Sequence, residues 1–132
     1  MMDPEKNETG SKHILDIKRE KLENLAIPTI EGFQFVHISV IFYLEAESSY
    51  TKIYMSDKSK IISSKNLGYY ETELEAEPFL RIHHSVIINL NKVKSYVRGD
   101  EGYVILQNGV SLRVAKSKKD DLLTLFRGRV RK

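Results

Sequence analysis

Cysteine is absent from the 132 residues, which excludes a disulfide framework and any thiolate metal site. No apolar run approaches the roughly 18 residues that a membrane helix needs. The opening Met-Met-Asp-Pro-Glu-Lys-Asn-Glu has no apolar core of the signal-peptide kind, so the expectation is a cytoplasmic protein with no membrane partner. Metal-binding pairs are lacking too. His13, His37, His83 and His84 form no His-x-x-x-His or Glu-flanked pair. An extended backbone through His83 and His84 would send their rings to opposite faces, where they could not grip one metal from the same side. Ser85 follows them without a strained Gly-x-Ser-x-Gly turn, and no Gly-rich phosphate loop is present. Glu45 and Glu47 share a strand face, but such residues more often lie at a solvated strand end. The expectation is a chain that is not an enzyme and uses neither cofactor nor metal.

Acidic residues are sparse toward the C-terminus. Residues 1–27 carry five Lys/Arg against six Asp/Glu, residues 28–80 four against eight, and residues 81–132 twelve against four. The net charges are −1, −4 and +8, which sum to the overall +3. Positive charge gathered in the last two fifths suits a polyanion partner, although a solvated basic tail would read the same way.

Patterning supplies the elements. Residues 1–11 are polar and expected to be disordered. Ile14, Leu15, Ile17, Leu22 and Leu25 recur at helical spacing, which predicts an amphipathic linker helix over Lys12 to Ala26, ending before Pro28. The folded domain is then expected over 28–132. Strands are predicted for Phe33 to Ile38, Val40 to Ala46, Tyr50 to Met55, Lys60 to Ser64, Val93 to Arg98, Tyr103 to Gln107 and Ser111 to Ala115. Asn108-Gly109 is the strongest hairpin signal. Asn66 can cap a helix running to Glu77, where Pro78 stops it. Its glutamates should face away from a polyanion. Ser117 to Phe126 reads as a closing helix. The sum is a mainly β fold of about eight to ten short strands, at the spacing of a sandwich or packed-sheet fold, with one internal and one C-terminal helix.

Four segments carry a resemblance. Tyr43-Leu44-Glu45-Ala46-Glu47-Ser48-Ser49-Tyr50-Thr51-Lys52-Ile53-Tyr54 forms strand, turn and strand. Ser63-Ser64-Lys65-Asn66-Leu67 leads from a strand into a helix. Phe79-Leu80-Arg81-Ile82-His83-His84-Ser85-Val86-Ile87-Ile88-Asn89-Leu90 is the most specific. Leu112-Arg113-Val114-Ala115-Lys116-Ser117 closes the set. In this order and spacing they resemble the LytTR DNA-binding domain, from about residue 28 to residue 126. The resemblance implies packed antiparallel sheets that insert loops, rather than a recognition helix, into successive major grooves of double-stranded DNA. It implies base contacts at Tyr50, His84 and Lys116, and phosphate contacts at Lys65, Arg81 and Ser85. His83 would either hold the loop or touch DNA. Lys118 and Lys119 would add salt-dependent attraction. The positions of His84 and Lys116 are often Arg in that family, so this chain lacks two bidentate donors there and its base preference should differ.

Plainer roles compete for several of these residues. Tyr50 could be a half-buried strand aromatic, Arg81 could pair with a helix carboxylate such as Glu77, and Lys118 and Lys119 could offset Asp120 and Asp121. Asn89 is expected to close a turn. Ile82, Val86, Ile87, Ile88 and Leu90 are expected in the core. The leading expectation is a sequence-specific transcriptional regulator, either the output domain of a two-component response regulator or a stand-alone LytTR regulator, binding paired promoter repeats as two protomers. About 27 residues ahead of the domain are too few for a receiver. The alternative is a protein-interaction module that uses the same sheet edge without DNA. RNA binding ranks low, because Tyr69, Tyr70 and Tyr96 do not cluster as stacking platforms do.

Overall fold

The computed structural model describes residues 23–129, which form three antiparallel sheets and two helices. A five-stranded sheet is the middle layer, in the order β5-β4-β3-β7-β6. Its strands are β3 (Ile41–Glu47), β4 (Tyr50–Met55), β5 (Lys60–Ser63), β6 (Phe79–His83) and β7 (Val86–Asn89). Every residue of β7 is buried, as expected of a central strand covered on both faces.

One face of this sheet is covered by helix α1 (Leu67–Glu73) and by the hairpin of β1 (Asn24–Thr29) and β2 (Gly32–His37). Leu25, Ile27, Ile41, Leu44, Ile53, Leu67, Tyr70 and Ile87 are among the core residues there. Ile41 and Leu44 are three apart yet share this core, because the register shifts between Ile41 and Tyr43. A bulge of this kind resets the two-residue alternation. The other face carries β8 (Val93–Val97), β9 (Tyr103–Leu106), β10 (Ser111–Arg113) and helix α2 (Lys116–Arg129). Ile82, Ile88, Val104, Val114 and Leu122 join in a second core on this side. Ile87 faces one core and Val86 and Ile88 the other, as period-two alternation requires.

The fold is the mainly β, two-helix architecture that patterning predicts, with four local differences, the first being that β6 and β7 flank the histidine turn where patterning names no strand. Leu25 and Ala26 are in strand β1, not at the end of a helix, and the rest of the predicted linker helix lies outside the described residues. Leu25 and Ile27 alternate inward, and Pro28 fits a strand with a single ladder partner. The internal helix ends at Glu73 rather than Glu77; the chain turns through Leu74, whose N–H reaches the Tyr70 carbonyl. Glu77 is therefore buried instead of lying on an outer helix face. The closing helix, by contrast, is longer than expected at both ends.

Candidate nucleic-acid interface

Strand direction decides which loops meet. Glu45 pairs with both Lys52 and Val86, Thr51 pairs with Ser63, and His83 pairs with Val86. The end of β3, the start of β4, the end of β5, the end of β6 and the start of β7 therefore lie at one end of the middle sheet. Three connections cap that end: Ser48–Ser49, the passage from Ser64 to Asn66, and His84–Ser85. A fourth arrives from the second layer, where the Ala115 N–H donates to the Ile82 carbonyl at 2.8 Å and brings Lys116 beside the end of β6. Exposed Tyr50, Lys65, His84 and Lys116, from four separate chain segments, gather at this end.

Each loop is fixed by short polar contacts. The turn between β3 and β4 contains Ser48 at φ 54°, a left-handed conformation that non-glycine residues adopt mainly in tight turns. Tyr50 starts β4 with half its surface exposed (51%), so it is an outward side chain and not a core aromatic. The next residue, Thr51, is buried and its hydroxyl donates to the Lys65 carbonyl at 2.8 Å, tying the Lys65 loop to β4. The Ser63 hydroxyl accepts from the Lys65 N–H and bonds the Tyr70 hydroxyl at 2.6 Å. Burial pushes the Tyr70 pKa up to about 12, so the phenol stays protonated. Asn66 accepts from the Tyr69 N–H as the cap of α1, and the Lys65 ammonium lies 5.3 Å from the Tyr69 ring centroid.

The His83–Ser85 segment is the tightest part. The His83 Nδ1 accepts from the Ser85 N–H at 3.2 Å and lies 3.0 Å from the Ser85 hydroxyl. That arrangement needs an unprotonated Nδ1. Burial lowers the His83 pKa, and the neighbouring charges of His84 and Arg113 lower it further. The expectation that the two histidines point to opposite faces does not hold. Their ring centroids are 4.3 Å apart with a 34° tilt, because the strand turns at His84 and the register shifts between Arg81 and His83.

Arg81 faces the α1 side. Its guanidinium donates to Glu71 at 2.8 Å and also to the His84 carbonyl. It thus joins the helix to the turn, with Glu71 rather than Glu77 as its carboxylate. Glu45 and Glu47 are both within reach of Lys52, at 3.9 and 3.2 Å, so the carboxylates of this strand end face a cation. Lys118 is partly exposed in the first turn of α2, and Lys119 donates to the Gly99 and Asp100 carbonyls. Among the described residues, no group of three or more His, Asp or Glu could hold a metal ion, and no helix is long and apolar enough to cross a membrane.

Arg113 carries no predicted role and stands in this cluster. It lines a cavity of about 320 Å³ with His83, Glu101 and Lys116. Its only sequence signal is its place inside the last of the four segments. A larger cavity of about 610 Å³, between β8 and α2, is lined by Tyr96, Lys119, Leu123 and Phe126; of the residues with a predicted role it includes Lys119 alone.

The architecture and this loop cluster define a class of β-sheet domain that presents cations and aromatics from loops. Residues 31–127 match the family model of the LytTr DNA-binding domain. The chain belongs to the LytTR family of DNA-binding domains. Among solved structures it is similar to the LytTr DNA-binding domain of a protein from Bacillus cereus described as a methyl-accepting/DNA response regulator. The TM-score is 0.68 and the identity 23%, over 80% of this chain and 98% of that one. No curated protein sequence matches the chain.

Proposed function

We propose that the loop end of the middle sheet reads the sequence of double-stranded DNA and that the protein is a transcriptional regulator, as the output domain of a two-component response regulator or as a stand-alone regulator. The observation that carries this reading is the gathering of Tyr50, Lys65, His84 and Lys116, from four chain segments, on one rigidly held end. The loops span four inter-strand spacings of about 4.8 Å, roughly 20 Å in all. That exceeds the roughly 12 Å width of one major groove, so the surface suits a groove together with the backbones that flank it, or successive grooves.

The roles divide by exposure. Tyr50 offers a flat face for a thymine methyl or sugar. His84 and Lys116 donate to purine acceptors. Lys65, Ser85 and Lys118 meet phosphates. His83 shapes the turn that presents His84. Arg81, held by Glu71, supports the same turn and takes part in phosphate binding only as its edge allows. Binding as two protomers on paired repeats fits a surface of this modest size.

Selection of bound sequences from a random duplex pool tests the reading. An enriched motif whose affinity falls steeply with salt is the expected result. Binding to no duplex at low ionic strength would refute it.

A further inference from the structure

His84 and Lys116 reach the reading surface without a forked donor, yet a guanidinium stands next to both of their loops. Arg113 ends β10, is 56% exposed at its side chain, and lines one cavity with His83 and Lys116. Its Nη1 lies 3.6 Å from a Glu101 carboxylate oxygen. Glu101 is held opposite by its neighbours. The Gly102 carbonyl accepts from the Val114 N–H at 2.9 Å. A Cβ at Gly102 would stand 2.3 Å from the Tyr96 hydroxyl, so this glycine cannot be enlarged without moving the ring. Lys119 clamps the carbonyls of Gly99 and Asp100 on the other side of Glu101. A flexible arginine beside a placed carboxylate loses less orientational freedom when it docks on a second acceptor. The pair is solvent-exposed, which leaves the remaining guanidinium N–H groups available.

Resting on the DNA-reading function proposed above, we propose that Arg113 is a specificity-determining residue of this chain, reading a guanine through its forked donors, and that Glu101 is the residue that positions it. A guanidinium presents two parallel N–H groups to guanine O6 and N7, whereas the Lys116 ammonium presents a point charge. The influence of Arg113 on the His83 pKa agrees with a cation close to the histidine turn.

The test compares motifs selected from a random duplex pool by the full chain and by R113K, R113A and E101Q. The wild type is expected to enrich a motif with an invariant G·C pair. R113K, which keeps the charge but loses the fork, should reduce discrimination at that one pair by about five- to a hundredfold. E101Q should relax the same pair while binding random duplex at least as tightly as the wild type, because a negative charge has left the surface. K118A should weaken all sequences evenly. If the wild type enriches a motif and R113K enriches the same one at equal stringency, the guanine-reading role is overturned and the DNA-reading function stands. Uniform weakening by R113A on every sequence overturns it as well, by making Arg113 a phosphate contact. If E101Q leaves discrimination unchanged, the positioning role of Glu101 is overturned. A wild type that enriches nothing overturns both proposals.

Discussion

At one end of the middle sheet Tyr50, Lys65, His84 and, from the second layer, Lys116 are among the side chains that reach the surface. At the other end, Asn89 is 2% exposed, its amide donates to the Ile41 carbonyl at 2.9 Å, and its side-chain oxygen accepts from the Asn91 N–H. Pro78 there accepts from Leu90, and Val40 from Ser56. The same strands thus end in two ways. The second end buries the amide of Asn89 to join the layers and leaves its β4–β5 turn, Ser56 to Ser59, exposed; the first uses serines, a threonine and an arginine to hold loops whose outer side chains stay unburied. Rigidity at the first end comes from hydrogen bonds beneath the surface residues, so those residues can differ without a cost to the core.

Mutations at the two ends should separate along this line. The largest effect is expected for Asn89→Ala, which leaves the Ile41 carbonyl buried without its donor and removes the turn contact. A loss of about 2–4 kcal/mol in denaturant unfolding is expected, with duplex affinity of the folded fraction unchanged. Next, Lys116→Ala should leave stability within about 0.5 kcal/mol but weaken binding to the selected duplex by about 1–3 kcal/mol and relax one base position. Fluorescence titration and thermal melts would show the split. A change in stability with no change in binding would place Lys116 in the wrong group.

Thr51→Val lies between the two classes. It removes the bond to the Lys65 carbonyl while nearly keeping volume. Stability should fall by about 1 kcal/mol, and the salt dependence of duplex binding should flatten as the Lys65 loop loosens. The smallest effect is expected from pH. The folded-state pKa of His83 is depressed, so the unfolded chain takes up the proton first. Stability from this group is complete above the ordinary histidine value near 6.5 and declines as pH falls through it. Duplex affinity should fall in the same direction, because an imidazolium cannot accept the Ser85 N–H that holds the turn presenting His84. Urea unfolding and titrations at pH 7.5 and 6.0 would reveal these parallel slopes, and His83→Asn should remove much of both.

How far the sequence speaks for itself differs between elements. Strand β4 is legible to the residue because Tyr50 to Met55 alternates without interruption. The Asn66 cap and the Asn108-Gly109 turn are equally local, the latter with Gly109 at φ 92°. Strand β1 is not legible, since Leu22, Leu25 and Pro28 mimic a helix and its stop, and only pairing with β2 shows the alternation. The histidine turn also misleads: two adjacent residues alternate in a strand, but a turn placed between them brings their rings together. For the site, the four segments name Tyr50, Lys65, His84 and Lys116, and topology gathers them. Arg113 and Glu101 escape because they are twelve residues apart and meet only across the β9–β10 hairpin. The Arg81 partner was open for the same reason, the choice between Glu71 and Glu77 depending on where α1 ends.

The distinction between the two ends can be tested most directly by mapping hydrogen exchange with and without the selected duplex. Added protection is predicted at Ser48 to Tyr50, Ser64 to Asn66, His84 to Ser85 and Ala115 to Lys118, with no change around Asn89. Protection centred instead on the exposed Phe33 and Phe35 of β2, or none on the four loops, would contradict the account.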